Sequence, residues 1–186
     1  MGLVRVEQLQ RDYPVVVDWR PFELHPETPP EGRPRGPASG HPNPALEVAH
    51  AAGIPMMRTS VIANSRPALE AAEFARTAGP DTFARFHKAV FRAYFEQDRN
   101  IGDVAVLAEI AAAEGLDADA LRQALAERRH APAVDESMQW AVSRGITGTP
   151  FFLFAADRLY GFPGAQEYTV FESVMARLGV PRREAL

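Results

Sequence analysis

Apolar positions change their spacing twice along the chain, and each change marks a different kind of element. Residues 3–12 set Leu3, Val6 and Leu9 at helical intervals with Arg5, Glu7, Gln8 and Arg11 on the other faces, which predicts an amphipathic helix. No Ser, Thr, Asp or Asn precedes it, so its first N–H groups have no side chain to cap them. Tyr13-Pro14 ends the helix, and Val15-Val16-Val17-Asp18-Trp19 follows as a β-branched run. That run predicts a strand over residues 15–23, apolar on both faces, as in a sheet covered by helices on both sides. From Pro26 to Pro44, Pro and Gly recur too densely for a helix or an interior strand, so residues 26–44 read as a loop. A short helix over 45–52 stops at Gly53, and Ile54-Pro55-Met56-Met57 reads as extended.

From Asn64 to Arg144 the period is helical almost throughout. Asn64 or Ser65 caps a helix entered at Pro67 and left at Gly79. The next starts at Asp81 or Thr82 and carries Phe83, Phe86, Val90, Phe91 and Tyr94 as one broad stripe. Asp103 and Asp117 open two more, with Gly115 between them at a C′ position, and a fifth runs from Pro132 to Gly145. The period then returns to that of strands. Residues 151–155 and 158–162 flank Ala156-Asp157 and predict an antiparallel hairpin, followed by a helix over 167–178 with Val170, Phe171, Val174 and Leu178 on one face. The order is α/β. With one strand placed ahead of Gly2 it is the thioredoxin plan with a large all-helical insertion, a discontinuous domain of residues 1–62 and 143–186 around an inserted domain of residues 63–142.

Composition narrows the function. Hydrophobic residues make up 46% and charged residues 24% of the 186, and no apolar run approaches the roughly 18 residues of a membrane helix. Twenty basic against 24 acidic residues give a net charge of -4 without a basic block, so neither nucleic acid nor a membrane surface is an expected partner. There is no cysteine, which removes disulfides, thiolate metal ligands and cysteine nucleophiles from these residues. The first residues carry no secretory signal pattern, and the expected compartment is the cytoplasm. His25, His41, His50, His87 and His130 are scattered without ligand spacing, so no metal and no cofactor are expected. His87 lies on an apolar helix and reads as a packed residue; Trp19 and Trp140 read as core. Glu70, Glu73, Glu109 and Glu114 read as solvated helix faces. The hydroxyls of Thr59, Ser60 and Thr149 have no evident base and read as structural.

The segment with most to say is Gly145-Ile146-Thr147-Gly148-Thr149-Pro150-Phe151-Phe152. A proline just before an apolar strand cannot donate to a ladder, so it sits at the strand entrance, and an X-Pro bond in so tight a turn is a candidate cis peptide. Together with residues 17–24 (Val-Asp-Trp-Arg-Pro-Phe-Glu-Leu), residues 86–95 followed by Asn100-Ile101-Gly102-Asp103, and Gly164-Ala165-Gln166, this stretch resembles the FrnE-like branch of the DsbA family of thioredoxin-fold oxidoreductases. The resemblance implies that Pro150 is the family's cis-proline and that Thr149, beside Gly148, pairs its backbone with a bound peptide or thiol substrate. It implies disulfide exchange or isomerisation as the activity.

The departure from that family is equally specific. Its members carry a Cys-Pro-Trp-Cys type motif on the helix that here begins at Gly2, which would place the second cysteine just ahead of Met1. The motif needs a helix N-terminus, where unpaired N–H groups and the macrodipole stabilise the thiolate. As given, the chain is expected to be redox-inactive, with an internal methionine taken for its start and a first strand missing. The alternatives are a redox-dead thioredoxin-fold binding module and a relative of the kappa-class glutathione transferases and hydroxychromene carboxylate isomerases, which bind glutathione. Against the last stands Gly164-Ala165-Gln166, where those relatives carry a Ser-Asp-Arg type pattern. The expected partners are a peptide or a thiol or disulfide substrate, with glutathione as a second candidate; a homodimer is compatible with the family and has no support in the residues.

Overall fold

A computed structural model describes residues 1–37 and 43–184; Gly40 and Pro42 of the Pro/Gly-rich stretch lie outside the described residues. The elements are α1 (Gly2–Asp12), β1 (Arg33–Pro34), α2 (Pro44–Ala51), β2 (Val61–Ile62), α3 (Arg66–Thr77), α4 (Pro80–Phe95), α5 (Val104–Ala113), α6 (Ala118–Ala126), α7 (Ala131–Val142), β3 (Phe151–Ala155), β4 (Leu159–Pro163) and α8 (Tyr168–Arg177). By packing they fall into two units, one of Met1–Arg20 with Val142–Leu186 and one of Pro21–Ala141. Residues 21–62 therefore pack with the helical block.

In the helical unit, α3, α4, α5 and α6 enclose a core of Ala71, Ala75, Phe86, Leu107, Ala111 and Leu121, each at most 1% exposed. Alanines on one stripe of α3 and α5 let the helices approach closely around the large side chains of Phe86, Leu107 and Leu121. Asp103 and Asp117 cap α5 and α6 with hydrogen bonds of 2.8–2.9 Å to Ala105, Asp119 and Ala120 N–H, and Gly115 takes φ +81° between them. The stripe of α4 buries Phe83, Phe86, Val90 and Ala93, while Phe91 remains 38% exposed. Segment 21–23 is tied to α7 by Ser137 Oγ donating to Pro21 O at 2.8 Å. β1 pairs antiparallel with β2, Arg33 opposite Ile62 and Pro34 opposite Val61, so the stretch predicted as loop contains a two-residue strand. Pro34 is tolerated because the pairing is this short.

Glu70 corrects its assignment as a solvated residue. It is 3% exposed and accepts from Arg66 Nε at 2.7 Å and from Arg128 at 3.0 Å; Arg66 also reaches Glu23 at 3.4 Å, Asp135 at 2.7 Å and the Ala131 carbonyl at 3.1 Å. Burial works to lower the Arg66 guanidinium, and its hydrogen bonds to Glu70 and Asp135 outweigh that and hold it raised. Trp19 and Trp140 are half-buried and not fully enclosed as predicted.

In the other unit, the hairpin runs in the register Phe151–Pro163, Phe152–Phe162, Leu153–Gly161, Phe154–Tyr160 and Ala155–Leu159. Phe152, Phe154, Tyr160 and Phe162 turn one face onto Leu9 and Tyr13 at the end of α1 and onto Tyr168, Phe171, Val174 and Met175 of α8. Phe171 is fully buried, with its ring edge-on to Phe152 at 4.8 Å and to Phe162 at 5.0 Å. Tyr168 donates to Asp12 Oδ2 at 2.8 Å and Arg182 reaches the same oxygen at 2.5 Å, while Arg183 N–H donates to Asp12 O. These contacts lower the Asp12 carboxyl below its ordinary range, and burial followed by the bond to Asp12 raises the Tyr168 hydroxyl. The predicted strand at residues 15–23 is not one. Those residues join no sheet among the described residues, and exposure alternates along them: Val16 is 99% exposed while Val15, Val17 and Trp19 are half-buried. β-branched residues favour extended backbone, but a ladder needs a neighbour, and none of the described strands runs beside them.

Candidate functional site

Pro150 sits where α1 begins and β3 starts. A methyl group placed on Gly2 would meet Pro150 Cβ at 3.4 Å and Cγ at 3.6 Å and the Phe152 ring at 3.5 Å, so the first turn of α1 lies against the proline ring. The Thr149–Pro150 peptide bond is cis. Pro150 O accepts from Gly164 N–H at 2.8 Å, which joins the loop to the end of β4, and Gly164 makes that turn with φ +81°. Gln166 then donates from Nε2 to Pro163 O at 2.9 Å and from its backbone to Gly164 O at 3.0 Å. The loop is thus held from both sides by α1 and by residues 163–166.

Before Pro150 the chain opens out. Thr149 is exposed, Gly148 is half-buried, and a side chain at Gly148 would meet nothing within 4 Å. Ile146, 7% exposed, anchors the loop at its other end. Gly148, Thr149 and Pro150, the three residues singled out from the sequence, are thus adjacent, with Thr149 exposed and Pro150 in contact with Gly2 and Gly164. The first turn of α1 lies beside the same place and makes no side-chain cap hydrogen bond. Arg5, one turn in, donates to Glu167 at 3.2 Å. No cysteine lies among the 186 residues.

Other candidates resolve into packing. His87 is stacked on Phe83 at 5.2 Å and edge-on to Phe91 at 4.7 Å, and burial followed by the charge of Arg76 lowers its imidazole to about 4. Thr59 is 4% exposed and donates to Tyr94 OH at 3.4 Å, and Ser60 N–H donates to Asp98 at 2.6 Å. A cavity of about 230 Å³ between α4 and α5 is lined by Arg92, Arg99, Glu109 and Glu114, whose charges are already engaged in the pairs Arg99–Glu109, Arg92–Glu96 and Arg85–Glu114. Among the described residues no group of His, Asp and Glu is placed to hold a metal ion, and no helix is long and apolar enough to cross a membrane. Sequence reasoning missed Gly2 as part of the site surface, although its place at the head of an uncapped helix was a signal.

Residues 1–176 match the DSBA-like thioredoxin domain family. The uncharacterized protein YwbO of Bacillus subtilis is 26% identical over 182 residues, 95% of this chain and 88% of that protein. Among solved structures, a probable DsbA oxidoreductase of Streptomyces coelicolor is similar with a TM-score of 0.76 at 25% identity, over 100% of this chain and 86% of that one. The cytosolic disulfide reductase DsbM of Pseudomonas aeruginosa, in its structure with GSH, shares the fold at a TM-score of 0.57 and 23% identity, over 78% of this chain and 80% of its own.

Proposed function

The chain belongs to the DSBA-like thioredoxin domain family, and from that membership we propose that Gly148, Thr149 and Pro150 bind an extended peptide or a thiol- or disulfide-bearing ligand. The observation that carries this reading is an exposed Thr149 next to a Pro150 braced between Gly2 and Gly164. Disulfide exchange needs a thiolate as nucleophile and a second sulfur as leaving group. The 186 residues contain neither, so they act as a docking surface, and any exchange at that surface runs between sulfurs brought to it. The FrnE-like branch and a cytoplasmic setting belong to the same proposal. Glutathione is a candidate ligand, supported by the fold shared with DsbM.

The test is binding of a fluorescein-labelled, alkylated cysteine peptide by fluorescence polarisation. Saturable binding is expected, weakened about tenfold by Pro150→Ala through loss of the ring that packs on Gly2 and aims Thr149. Disulfide reduction by the 186-residue chain stays at the buffer rate. Binding unchanged in Pro150→Ala, with the variant folded by circular dichroism, contradicts the proposal.

A further inference from the structure

Without cysteine, the five methionines hold all the sulfur of these 186 residues, so sulfur oxidation can fall only on a thioether. Two of the five mark the extremes of setting: Met175 is 1% exposed in the core formed by α8 and the hairpin, and Met57 is 43% exposed on the segment after α2. Met138 lies between them. It is half-buried on α7, next to the inward-facing Ser137, and its sulfur holds another part of the chain. Glu23 N–H donates to Met138 Sδ at 3.0 Å, and Ser137 Oγ donates to Pro21 O at 2.8 Å. Two consecutive side chains of α7 thus hold the backbone of residues 21–23, beside which no described strand runs. A third tie is Arg66, which reaches the Glu23 carboxylate at 3.4 Å. The unbranched methionine side chain suits this reach, and its thioether is a weak acceptor as well as an oxidisable atom.

We propose that Met138 is an oxidation site and that its sulfoxide releases residues 21–23 from α7. The oxidant is a hydroperoxide. A sulfur lone pair forms the S–O bond, the peroxide O–O bond breaks, and with hydrogen peroxide the second oxygen leaves as water. Sulfur loses two electrons and the peroxide gains them. An oxygen added on the side of Glu23 falls inside contact distance of its nitrogen, which stands 3.0 Å from the sulfur. An oxygen added on the other side leaves a positively polarised sulfur facing the N–H, which no longer accepts from it. Either product loses the bond, and the Glu23 N–H must then turn to water. The Glu23 carboxylate keeps Arg66, so the opening stays local to residues 21–24 and the core of α3, α4, α5 and α6 keeps its packing. The change is reversible, because methionine sulfoxide reductases return the sulfoxide to the thioether at the expense of a dithiol.

The full chain is titrated with hydrogen peroxide, each methionine is followed by peptide mass, and hydrogen exchange at Glu23 N–H is read by NMR. Met56→Leu with Met57→Leu serves as a background in which those two thioethers cannot contribute. Met138 is expected to gain one oxygen at doses that leave Met175 intact, with exchange at Glu23 raised about tenfold and exchange in α3, α4, α5 and α6 unchanged. Reduction by a methionine sulfoxide reductase with dithiothreitol is expected to restore the starting rate. Met138→Leu keeps an apolar side chain of similar size and removes the acceptor. It is expected to exchange fast at Glu23 before any peroxide and to change no further with it, its fold being checked by circular dichroism. Three results overturn the proposal. Met138 stays reduced at doses that fully oxidise Met57 in the unsubstituted chain; or Met138 carries the sulfoxide while exchange at Glu23 is unchanged; or Met138→Leu responds to peroxide as the parent does, which assigns the response to another methionine.

Discussion

At the scale of single residues, His87 gives the clearest solution signature. Its imidazole titrates near 4 in the fold, held neutral by burial between Phe83 and Phe91 and by the charge of Arg76, against 6.5 for an ordinary histidine. Between those values the unfolded chain binds a proton that the folded chain does not, so stability rises with pH through the window and is complete above 6.5. Urea unfolding at pH 4.5 and pH 7.5 is expected to show a loss at the lower pH that His87→Phe reduces, by up to about 3 kcal/mol; a variant with the wild-type pH slope refutes this assignment. Gly32 is a second such position. It has φ +79°, and a methyl group there would lie 2.7 Å from Val61 Cγ1 and 2.9 Å from Ile62 O, so Gly32→Ala is expected to cost about 2 kcal/mol in a denaturant titration. The same comparison made at Gly148, which is open, should show no comparable steric loss.

At the scale of elements, the start of α3 is held to its surroundings by one guanidinium. Arg66 joins Glu70 on its own helix, Asp135 and the Ala131 carbonyl on α7, and Glu23 on the segment before β1. Removing it leaves Glu70, 3% exposed, paired with Arg128, and Arg66→Met is expected to destabilise the chain by about 3 kcal/mol. Arg122→Ala, which breaks an exposed pair with Asp119, should cost under about 1 kcal/mol in the same titration. Elements with local causes were legible in the sequence. The caps at Asp103 and Asp117, the turn at Gly115 and the hairpin around Ala156-Asp157 lie within one or two residues of their predicted places. Elements with distant causes were not. Glu70 looks solvated until Arg66 and Arg128 are folded around it, Val15–Trp19 looks like a strand until its neighbours are known, and β1 depends on pairing with residues 61–62, far along the chain.

At the scale of the whole molecule, the family and the thioredoxin-like order of elements were legible because four separated stretches carry them in sequence, and Pro150 was legible because a proline before an apolar strand has few places to sit. Its neighbour Gly2 was not, since only folding brings the start of α1 to the entrance of β3. The proposed ligand contact lies on Gly148, Thr149 and Pro150. Hydrogen exchange of the full chain with and without the alkylated cysteine peptide tests it directly. Slowed exchange is expected at Gly148 and Thr149. Slowed exchange confined to α4 and α5 around Arg92 and Glu109, with Gly148 and Thr149 unaffected, would contradict it.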